Sequence, residues 1–285
     1  MDIAIATSAE LRDLAEDDRG LLTAFAARGL DARPVVWNDP AASWRSARAV
    51  VIRSTWDSHL HAAAFRAWAE TVETISVLHN PARLVAWNLH KGYLRELADQ
   101  GIAITPTQWF ARGSVPNLER VLRETGWSQL VVKPAISAGA TGTHVVDHDN
   151  AAALQPVVDA LSSENDLMLQ PYLSTFEVQG ERSYIYIDGR LSHAVRRPPT
   201  LTSARRGFEE PQAIEMPDPR EVAIADTVAA ALPEGWLYAR VDVATDDDGL
   251  VRVQEVELIE PSLFLGLAPG ATERLADAII ARLQR

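Results

Sequence analysis

The chain has 285 residues, 47% hydrophobic and 23% charged, enough to bury a substantial core in about two domains. Its 27 Lys and Arg against 39 Asp and Glu give a net charge of −12, which repels phosphate backbones and anionic membranes and argues against nucleic acid or a membrane as partner. The absence of cysteine excludes disulfides, thiolate metal sites and cysteine nucleophiles.

The N-terminal region alternates short apolar runs with helical patterns. Strands are predicted at residues 2–7, 32–37 and 49–53, and helices near residues 17–28 and 62–71. Such alternation is typical of α/β folds. Residues 1–80 are therefore predicted to form a small α/β domain.

The middle of the chain, residues 81–173, mixes helices and strands without that alternation. A helix near residues 89–100 ends at Gly101, which is a typical C-terminal stop. Strands are predicted at 129–134, 143–146 and 167–171, with a helix near 151–161. We expect an α+β unit here.

The last part, residues 174–285, has longer strand patterns and an Asp-Gly tight-turn pair at 188–189, so an antiparallel sheet is predicted. The stretch 198–219 contains five prolines and little periodicity, which predicts an extended loop. A lid is one interpretation of this loop. In it, Arg205 and Arg206 either close over a carboxylate or form a solvated surface pair.

An acidic hairpin follows, in the segment YARVDVATDDDGLVRVQEVEL. Two strand patterns are joined by a final Asp-Gly pair, a strong signal for a two-residue loop. That loop places Asp242 opposite Glu255 and Arg240 opposite Glu257, with all four side chains on one face. The other face is apolar, formed by Val241, Val243, Val256 and Leu258.

The charged face of the hairpin holds three acids and one arginine. Crowded carboxylates repel unless a cation lies among them, and Mg²⁺ takes one or two carboxylates together with substrate phosphates. Asp242, Glu255 and Glu257 are therefore candidate Mg²⁺ ligands. The alternative is a solvated face with cross-strand ion pairs.

Two lysines stand at unusual positions. Lys91 lies on or beside the inward stripe of the predicted helix, and Lys133 ends an apolar strand just before the small-residue loop AISAGATG. Both have a simpler interpretation, Lys91 as a snorkelling side chain and Lys133 as a strand boundary. The loop can bring backbone N–H groups to a phosphate. It carries neither the P-loop nor the dinucleotide fingerprint, so ATP would need another scaffold.

Taken in order, the runs WNLHKGYL, VVKPAISAGATG, LMLQPYL and RVDV…VQEVELIEP resemble the ATP-grasp superfamily, in its glutathione synthetase and ribosomal-protein glutamate ligase branch. VVIRSTWD, NLHKGYL and VELIEPSLFL further resemble the cyclo-ligases of cycloserine biosynthesis. The resemblance implies an α/β and α+β chain, with an ATP-grasp fold after an N-terminal α/β domain. It also implies ATP and Mg²⁺ as cofactors.

The resemblance further implies roles for individual residues. Lys91 and Lys133 would contact phosphates, and Asp242, Glu255 and Glu257 would take the metal positions, although Glu257 stands where Asn is usual. The nucleotide would also be bound by the loop residues Ser137, Gly139, Thr141 and Gly142, by the adenine hinge Gln170, Pro171, Tyr172 and Leu173, and by Glu177 or Glu181 near the ribose. Relatives often carry Arg at the position of Ser183, and Arg196, Arg197 or Arg240 would replace that charge.

The expected reaction is ligation of a small-molecule carboxylate and an amine through an acyl phosphate, with Lys133 and Arg240 balancing charge. Substrate contacts are expected at the end of a strand of the α/β domain, from Arg196, and just past the acidic hairpin. The candidates are Arg53, Ser54, Thr55, Trp56, Arg196, Glu260 and Ser262. For the strand end and for Glu260 and Ser262, the alternatives are an ordinary strand-to-loop junction and a plain turn.

Several alternatives to this function stay open. The ligation is either intermolecular or a ring closure, and the other candidates are phosphoryl transfer to a hydroxyl and a non-catalytic nucleotide sensor. His59 and His61 have metal-pair spacing, but we interpret them as surface residues. No stretch approaches the roughly 20 apolar residues that span a bilayer, and no basic leader precedes the first strand. We expect a cytoplasmic protein of open oligomeric state.

Overall fold

The computed structural model describes residues 1–198 and 210–283, which form three sheets with flanking helices. In these two ranges, none of the helices combines the length and the apolar character that crossing a membrane requires. Arg205 and Arg206 of the predicted loop lie outside the described residues.

The first sheet is parallel, as the α/β pattern predicts. Its strand order is β2-β1-β3-β4, and two helices follow strands of the sheet. The elements are β1 (Ile3–Thr7), α1 (Glu16–Ala26), β2 (Ala32–Val36), β3 (Ala49–Ser54), α2 (Ala62–Glu73) and β4 (Val77–His79). The sequence did not predict β4, because three residues are too few to show a strand period.

A helix that was not predicted, α3 (Ala82–Asn88), precedes the region 89–100 that was predicted as helical, and in that region only α4 (Tyr93–Asp99) forms. Between them the Lys91 N–H donates to the Ala135 carbonyl at 2.8 Å, and the Gly92 N–H donates to Nδ1 of His90 at 2.9 Å. These bonds take backbone donors out of the helical ladder. Lys91 therefore lies on the connection between the helices, beside the strand that precedes Ala135.

The second sheet is antiparallel, with strand order β5-β8-β6-β7. Its elements and helices are β5 (Gln108–Phe110), α5 (Leu118–Thr125), β6 (Gln129–Pro134), β7 (His144–Asp147), α6 (Ala151–Glu164) and β8 (Leu167–Pro171). The helix α5 was not predicted, although its capping signals are present in the sequence. The side chain of Asn117 accepts from the Arg120 N–H, and Gly126 ends the helix in the left-handed conformation.

The third sheet has strand order β11-β10-β9-β12-β13 and is antiparallel, as expected. Its strands and helices are α7 (Thr175–Gln179), β9 (Glu181–Ile187), β10 (Arg190–Arg197), β11 (Gln212–Ala213), α8 (Pro219–Ala231), β12 (Tyr238–Thr245), β13 (Val251–Glu257) and α9 (Ala271–Leu283). The short β11 lies within the stretch predicted as an extended loop.

The β12–β13 hairpin has the predicted pairs but a different turn. Arg240 pairs with Glu257 and Asp242 with Glu255, whereas the Asp246 N–H donates to the Leu250 carbonyl at 2.8 Å and closes a three-residue loop. A loop longer by one residue shifts the register, and a bulge next to Asp242 shifts it back. The opposite face is buried as predicted, with Val241, Val243, Val256 and Leu258 in one apolar cluster.

Candidate active site

A cleft of about 180 Å³ lies between the second and third sheets. It is lined by groups from β6, β9, β10, β12 and β13, and by the connections that follow α3, β6 and β8. The predicted residues that line it are Lys91, Lys133, Ser137, Gly139, Gln170, Pro171, Tyr172, Leu173, Glu181, Arg240, Asp242, Glu255 and Glu257. The predicted nucleotide residues that do not line it are Thr141, Gly142 and Glu177.

Asp242 is the most enclosed acid of the cleft. Its Oδ2 lies 2.9 Å from Arg240 and 2.8 Å from Arg197, and its Oδ1 accepts from the Ser183 hydroxyl at 2.6 Å. Burial favours the protonated carboxyl, but the two guanidiniums outweigh it and lower the pKa of Asp242. Asp242 is therefore an anion whose acceptor sites are already occupied by protein donors.

Glu255 and Glu257 keep more free surface, with side chains 27% and 29% exposed. Glu255 lies 3.1 Å from the Lys91 ammonium, and Glu257 accepts from Arg240. Against the effect of burial, Lys91 and Lys133 lower the pKa of Glu255. Burial, which Arg240 only partly offsets, raises the pKa of Glu257 to about 7.

The two lysines lie on the same side of the cleft. Lys91 is 5% exposed, and its ammonium donates to the Ser137 carbonyl on the small-residue loop. Burial lowers the pKa of Lys133, while the acids of the hairpin oppose this shift. Because Lys91, Arg197 and Arg240 already pair with acids of the cleft, an anionic ligand can replace some of these ion pairs at modest electrostatic cost.

The donor set fits Mg²⁺ only in part. Nowhere in residues 1–198 and 210–283 do three or more His, Asp or Glu side chains converge on a position that would hold a metal. The trio Asp242, Glu255 and Glu257 is thus adjacent but not a preformed site, because each carboxylate is in an ion pair. Mg²⁺ needs only one or two carboxylates in addition to phosphate oxygens from a substrate. Glu255 and Glu257 can supply those carboxylates.

The predicted adenine hinge comprises the last two residues of β8 and the two residues after it. The Tyr172 N–H donates to the Gln129 carbonyl at 3.0 Å, and the Gln170 amide donates to Thr107 at 2.9 Å. Glu177 is exposed and accepts from the Tyr172 hydroxyl at 2.9 Å, whereas Glu181 faces the cleft, 2.6 Å from Arg197. Of the two acids considered for the ribose, Glu181 is the one placed at the cleft.

The predicted substrate residues are not brought together. Arg53, Ser54 and Thr55 are at most 1% exposed, so they have no surface for a substrate in this structure, while Trp56 is 45% exposed. Burial follows because the end of β3 is covered by α1 and by the segment after β13. Glu260 accepts from the Ser58 hydroxyl, and the Ser262 carbonyl accepts from Arg240 at 3.2 Å.

Arg197 lines the cleft, and the predicted Arg196 does not. Arg197 pairs with Glu181 and Asp242, whereas Arg196 donates to Gln212 at 3.1 Å. Successive side chains of a strand point to opposite faces. The Asp188-Gly189 turn alone would place Arg196 opposite Glu181, but a bulge between Leu191 and His193 shifts the register by one residue and places Arg197 there instead. Arg196 and Arg197 had both been named as replacements for the missing charge, and the sequence does not show this bulge. Phe176 and Gln254 also line the cleft and had not been predicted.

Comparison with known proteins identifies the family. Residues 3–80 match the family model described as D-cycloserine synthetase DcsG, N-terminal domain. The chain is 30% identical over 300 residues to the cycloserine biosynthesis protein DcsG of Streptomyces lavendulae, covering 99% of each chain. The chain belongs to the D-cycloserine synthetase family of ATP-grasp ligases.

Solved structures agree with this assignment. The crystal structure of D-cycloserine synthetase DcsG aligns with a TM-score of 0.87 and 28% identity, over 99% of this chain and 100% of that one. The ATP-grasp ligase PsnB, complexed with precursor peptide PsnA2 and AMPPNP, has the same fold at a TM-score of 0.65 and 20% identity, over 99% and 97%. The predicted fold class is confirmed, and the chain is an enzyme that forms C–N bonds by ATP-dependent ligation.

Proposed function

We propose that this ATP-grasp ligase uses ATP and Mg²⁺ to phosphorylate the carboxylate of a small amino-acid-like substrate, after which an amine displaces phosphate. The observation that supports this most directly is the cleft itself, in which lysines and arginines face three acids of one hairpin. A carboxylate is a poor electrophile. Phosphorylation converts it into an acyl phosphate, which is a good electrophile because phosphate is a good leaving group. The products are ADP, phosphate and an amide.

The cations of the cleft have distinct tasks in this proposal. Lys91 and Lys133 bind phosphate oxygens, and the loop with Ser137 and Gly139 covers them. Arg240 lies between Asp242 and Glu257 and balances the charge that develops on the transferred phosphoryl group and the acyl oxygen. No protein nucleophile is required, which agrees with a chain that has no cysteine.

Glu255 and Glu257 would hold the metal, and Asp242 would orient Arg197 and Arg240. This division follows from the free surface of the two glutamates and from the occupied acceptors of Asp242. Mg²⁺, when bound, neutralises phosphate charge in such a site. The protein contributes the carboxylates, and its lysines and arginines keep the rest of the phosphate charge paired.

The relative named D-cycloserine synthetase suggests the substrate class. Its product is a cyclic amino-acid derivative, and the similarity extends over 99% of this chain. We therefore propose an intramolecular ligation, in which carboxylate and attacking nitrogen belong to one molecule such as O-ureido-serine.

The test is ADP release across a panel of amino acids and amino-acid-derived carboxylates that includes O-ureido-serine. Stimulation by one of them, with formation of a hydroxamate when hydroxylamine is added, supports an acyl phosphate. Stimulation without a hydroxamate would indicate phosphoryl transfer to a hydroxyl. No stimulation by any panel member would contradict the proposed substrate class.

A further inference from the structure

The segment after the last paired residue of β13, residues 258–263, is held mainly by side chains from distant parts of the chain. We call this segment the strap. Its carbonyl oxygens lie at hydrogen-bonding distance from Asn80 (Leu258 O, 2.8 Å), Tyr238 (Ile259 O, 2.7 Å), Arg53 (Pro261 O, 2.8 Å), Arg240 (Ser262 O, 3.2 Å) and His193 (Leu263 O, 2.8 Å). Five anchors on six residues fix its backbone.

The strap is continuous with the cleft. It begins directly after Glu257, and the Ser262 carbonyl accepts from the same guanidinium that pairs with Glu257 and Asp242. It also bears Glu260, which accepts from Ser58 in the loop after β3. A shift of the strap would therefore move Arg240 and Glu260 relative to the phosphate side of the cleft.

Arg53 connects the strap to the N-terminal sheet. Its Nε lies 2.8 Å from Asp18, and its Nη2 donates to the Pro261 carbonyl at 2.8 Å. The guanidinium lies 4.8 Å from the centre of the Tyr238 ring, and the Ser54 hydroxyl holds Asp18 at 2.7 Å. Only a planar, forked cation can reach the acid on one side and the carbonyl on the other in this way.

We infer that Arg53 is a positioning residue, which holds the Pro261 peptide and thereby sets the placement of Arg240 and Glu260 for the ligation step. The N-terminal domain then contributes to catalysis through the backbone of the strap, without its strand-end arginine touching the substrate. The effect on turnover rests on the proposed function, because turnover can be measured only with a substrate. The placement of the strap can be measured independently of any substrate.

The test variant is Arg53→Lys. Lysine keeps a positive charge beside Asp18 but, as a point charge, cannot also hold the Pro261 carbonyl. We expect amide hydrogen exchange in peptides covering residues 258–263 to rise by about tenfold, the effect of one lost charge-assisted hydrogen bond. Affinity for Mg·ADP should stay within about twofold of the wild type, because the nucleotide side of the cleft is untouched. Turnover of O-ureido-serine should fall by about 10- to 100-fold.

Two further variants make the result decisive. Arg33→Lys is the matched control, because the Arg33 side chain is 67% exposed and pairs with Asp31 at the surface, and it should behave as wild type in every assay. Tyr238→Phe removes the hydroxyl that lies between the Ile52 and Ile259 carbonyls, 2.7 Å from the latter, while keeping the ring beside Arg53. This variant should also raise amide hydrogen exchange in the strap. If Arg53→Lys does not fold, Tyr238→Phe takes its place as the test variant.

Unchanged strap exchange in folded Arg53→Lys, or in Tyr238→Phe if Arg53→Lys does not fold, would overturn the inference. So would a parallel loss of Mg·ADP affinity and turnover, which would indicate a general structural role. If no substrate in the panel stimulates the wild-type enzyme, the proposed function fails. The exchange and ADP measurements then still decide whether Arg53 positions the strap.

Discussion

At the scale of single residues, Lys133 and Glu255 carry the clearest prediction. We expect Lys133→Ala and Glu255→Ala each to lower ATP turnover by at least about 100-fold, because each removes a charge that the phosphate and metal side of the cleft requires. Circular dichroism should show an intact fold. Glu177→Ala is the control, since Glu177 is exposed, does not line the cleft, and accepts from the Tyr172 hydroxyl. Normal turnover in either test variant would refute the site assignment.

Arg197 and Arg196 form a natural pair for the next prediction. Arg197→Ser should weaken Mg·ATP binding and lower turnover by about tenfold, because one of the two guanidiniums on Asp242 is lost. Arg196→Ser should leave both within about twofold, because the Arg196 guanidinium is directed to Gln212 on the other face of β10. Isothermal titration with Mg·ADP and steady-state rates would measure both effects. Equal losses of affinity and turnover in the two variants would show that nucleotide binding does not depend on which face of β10 carries the arginine.

The sequence could predict the residues of the cleft better than their surroundings. Lys133, Asp242 and Glu255 were singled out by local strand patterns together with the resemblance to the ATP-grasp superfamily, and all three line the cleft. The burial of Arg53 could not be foreseen, because it depends on Asp18, 35 residues away, and on Pro261, 208 residues away. A strand-end arginine faces a crevice or a core according to what packs over it, and only the tertiary structure determines that.

At the scale of elements, the β12–β13 hairpin shows how a correct pairing can come from an incorrect turn. The predicted two-residue loop is a three-residue loop, and the bulge beside Asp242 compensates for the difference. Strand alternation indicates which face is charged, but it cannot detect two offsetting irregularities. The break between α3 and α4 was equally hidden, because the Lys91 N–H bonds to a carbonyl 44 residues later, that of Ala135.

The junction between α7 and β9 leads to a prediction at this scale. Gly180 has φ of 67°, and a Cβ there would lie 2.4 Å from the Arg197 carbonyl oxygen. Gly180→Ala should therefore displace the end of β10 and reduce both stability and Mg·ADP affinity. Gly249→Ala is the matched control, since its φ is 80° but nothing lies within 4 Å of the added Cβ. It should cost only about 1 kcal/mol of backbone strain, with unchanged ADP affinity. Unchanged affinity in Gly180→Ala would show that β10 tolerates the shift.

At the scale of the whole molecule, the N-terminal sheet and the third sheet share one apolar core. Ile3, Ile5 and Val51 of the parallel sheet pack in the same cluster as Ile185 of β9 and Leu275 of α9. His79, at the end of β4, is buried in the same part of the fold, near Arg282 of α9. Its ionisation is therefore linked to the stability of the whole chain.

Burial, assisted by the charge of Arg282, lowers the pKa of His79 from 6.5 to about 4. Between these two pH values the unfolded chain binds more protons than the folded one, so the free energy of unfolding rises with pH across this window and is constant above it. The stabilisation lost on acidification to pH 4 is about 3 kcal/mol. His79→Leu removes this contribution, and within the described part of the chain the Nε2 atom has no hydrogen-bond partner to lose.

Urea unfolding of wild type and His79→Leu at pH 4.5 and pH 7.5 would measure the contribution of His79 to the free energy of unfolding. The carboxylates are the same in both proteins, so their contributions cancel in the comparison. The wild type should lose more stability than the variant. The exposed His148→Leu is the matched control for the loss of one imidazole and should follow the wild-type curve. Parallel curves for wild type and His79→Leu would mean that the acid sensitivity of the fold arises elsewhere, and that the core shared by the two sheets tolerates a charged imidazole.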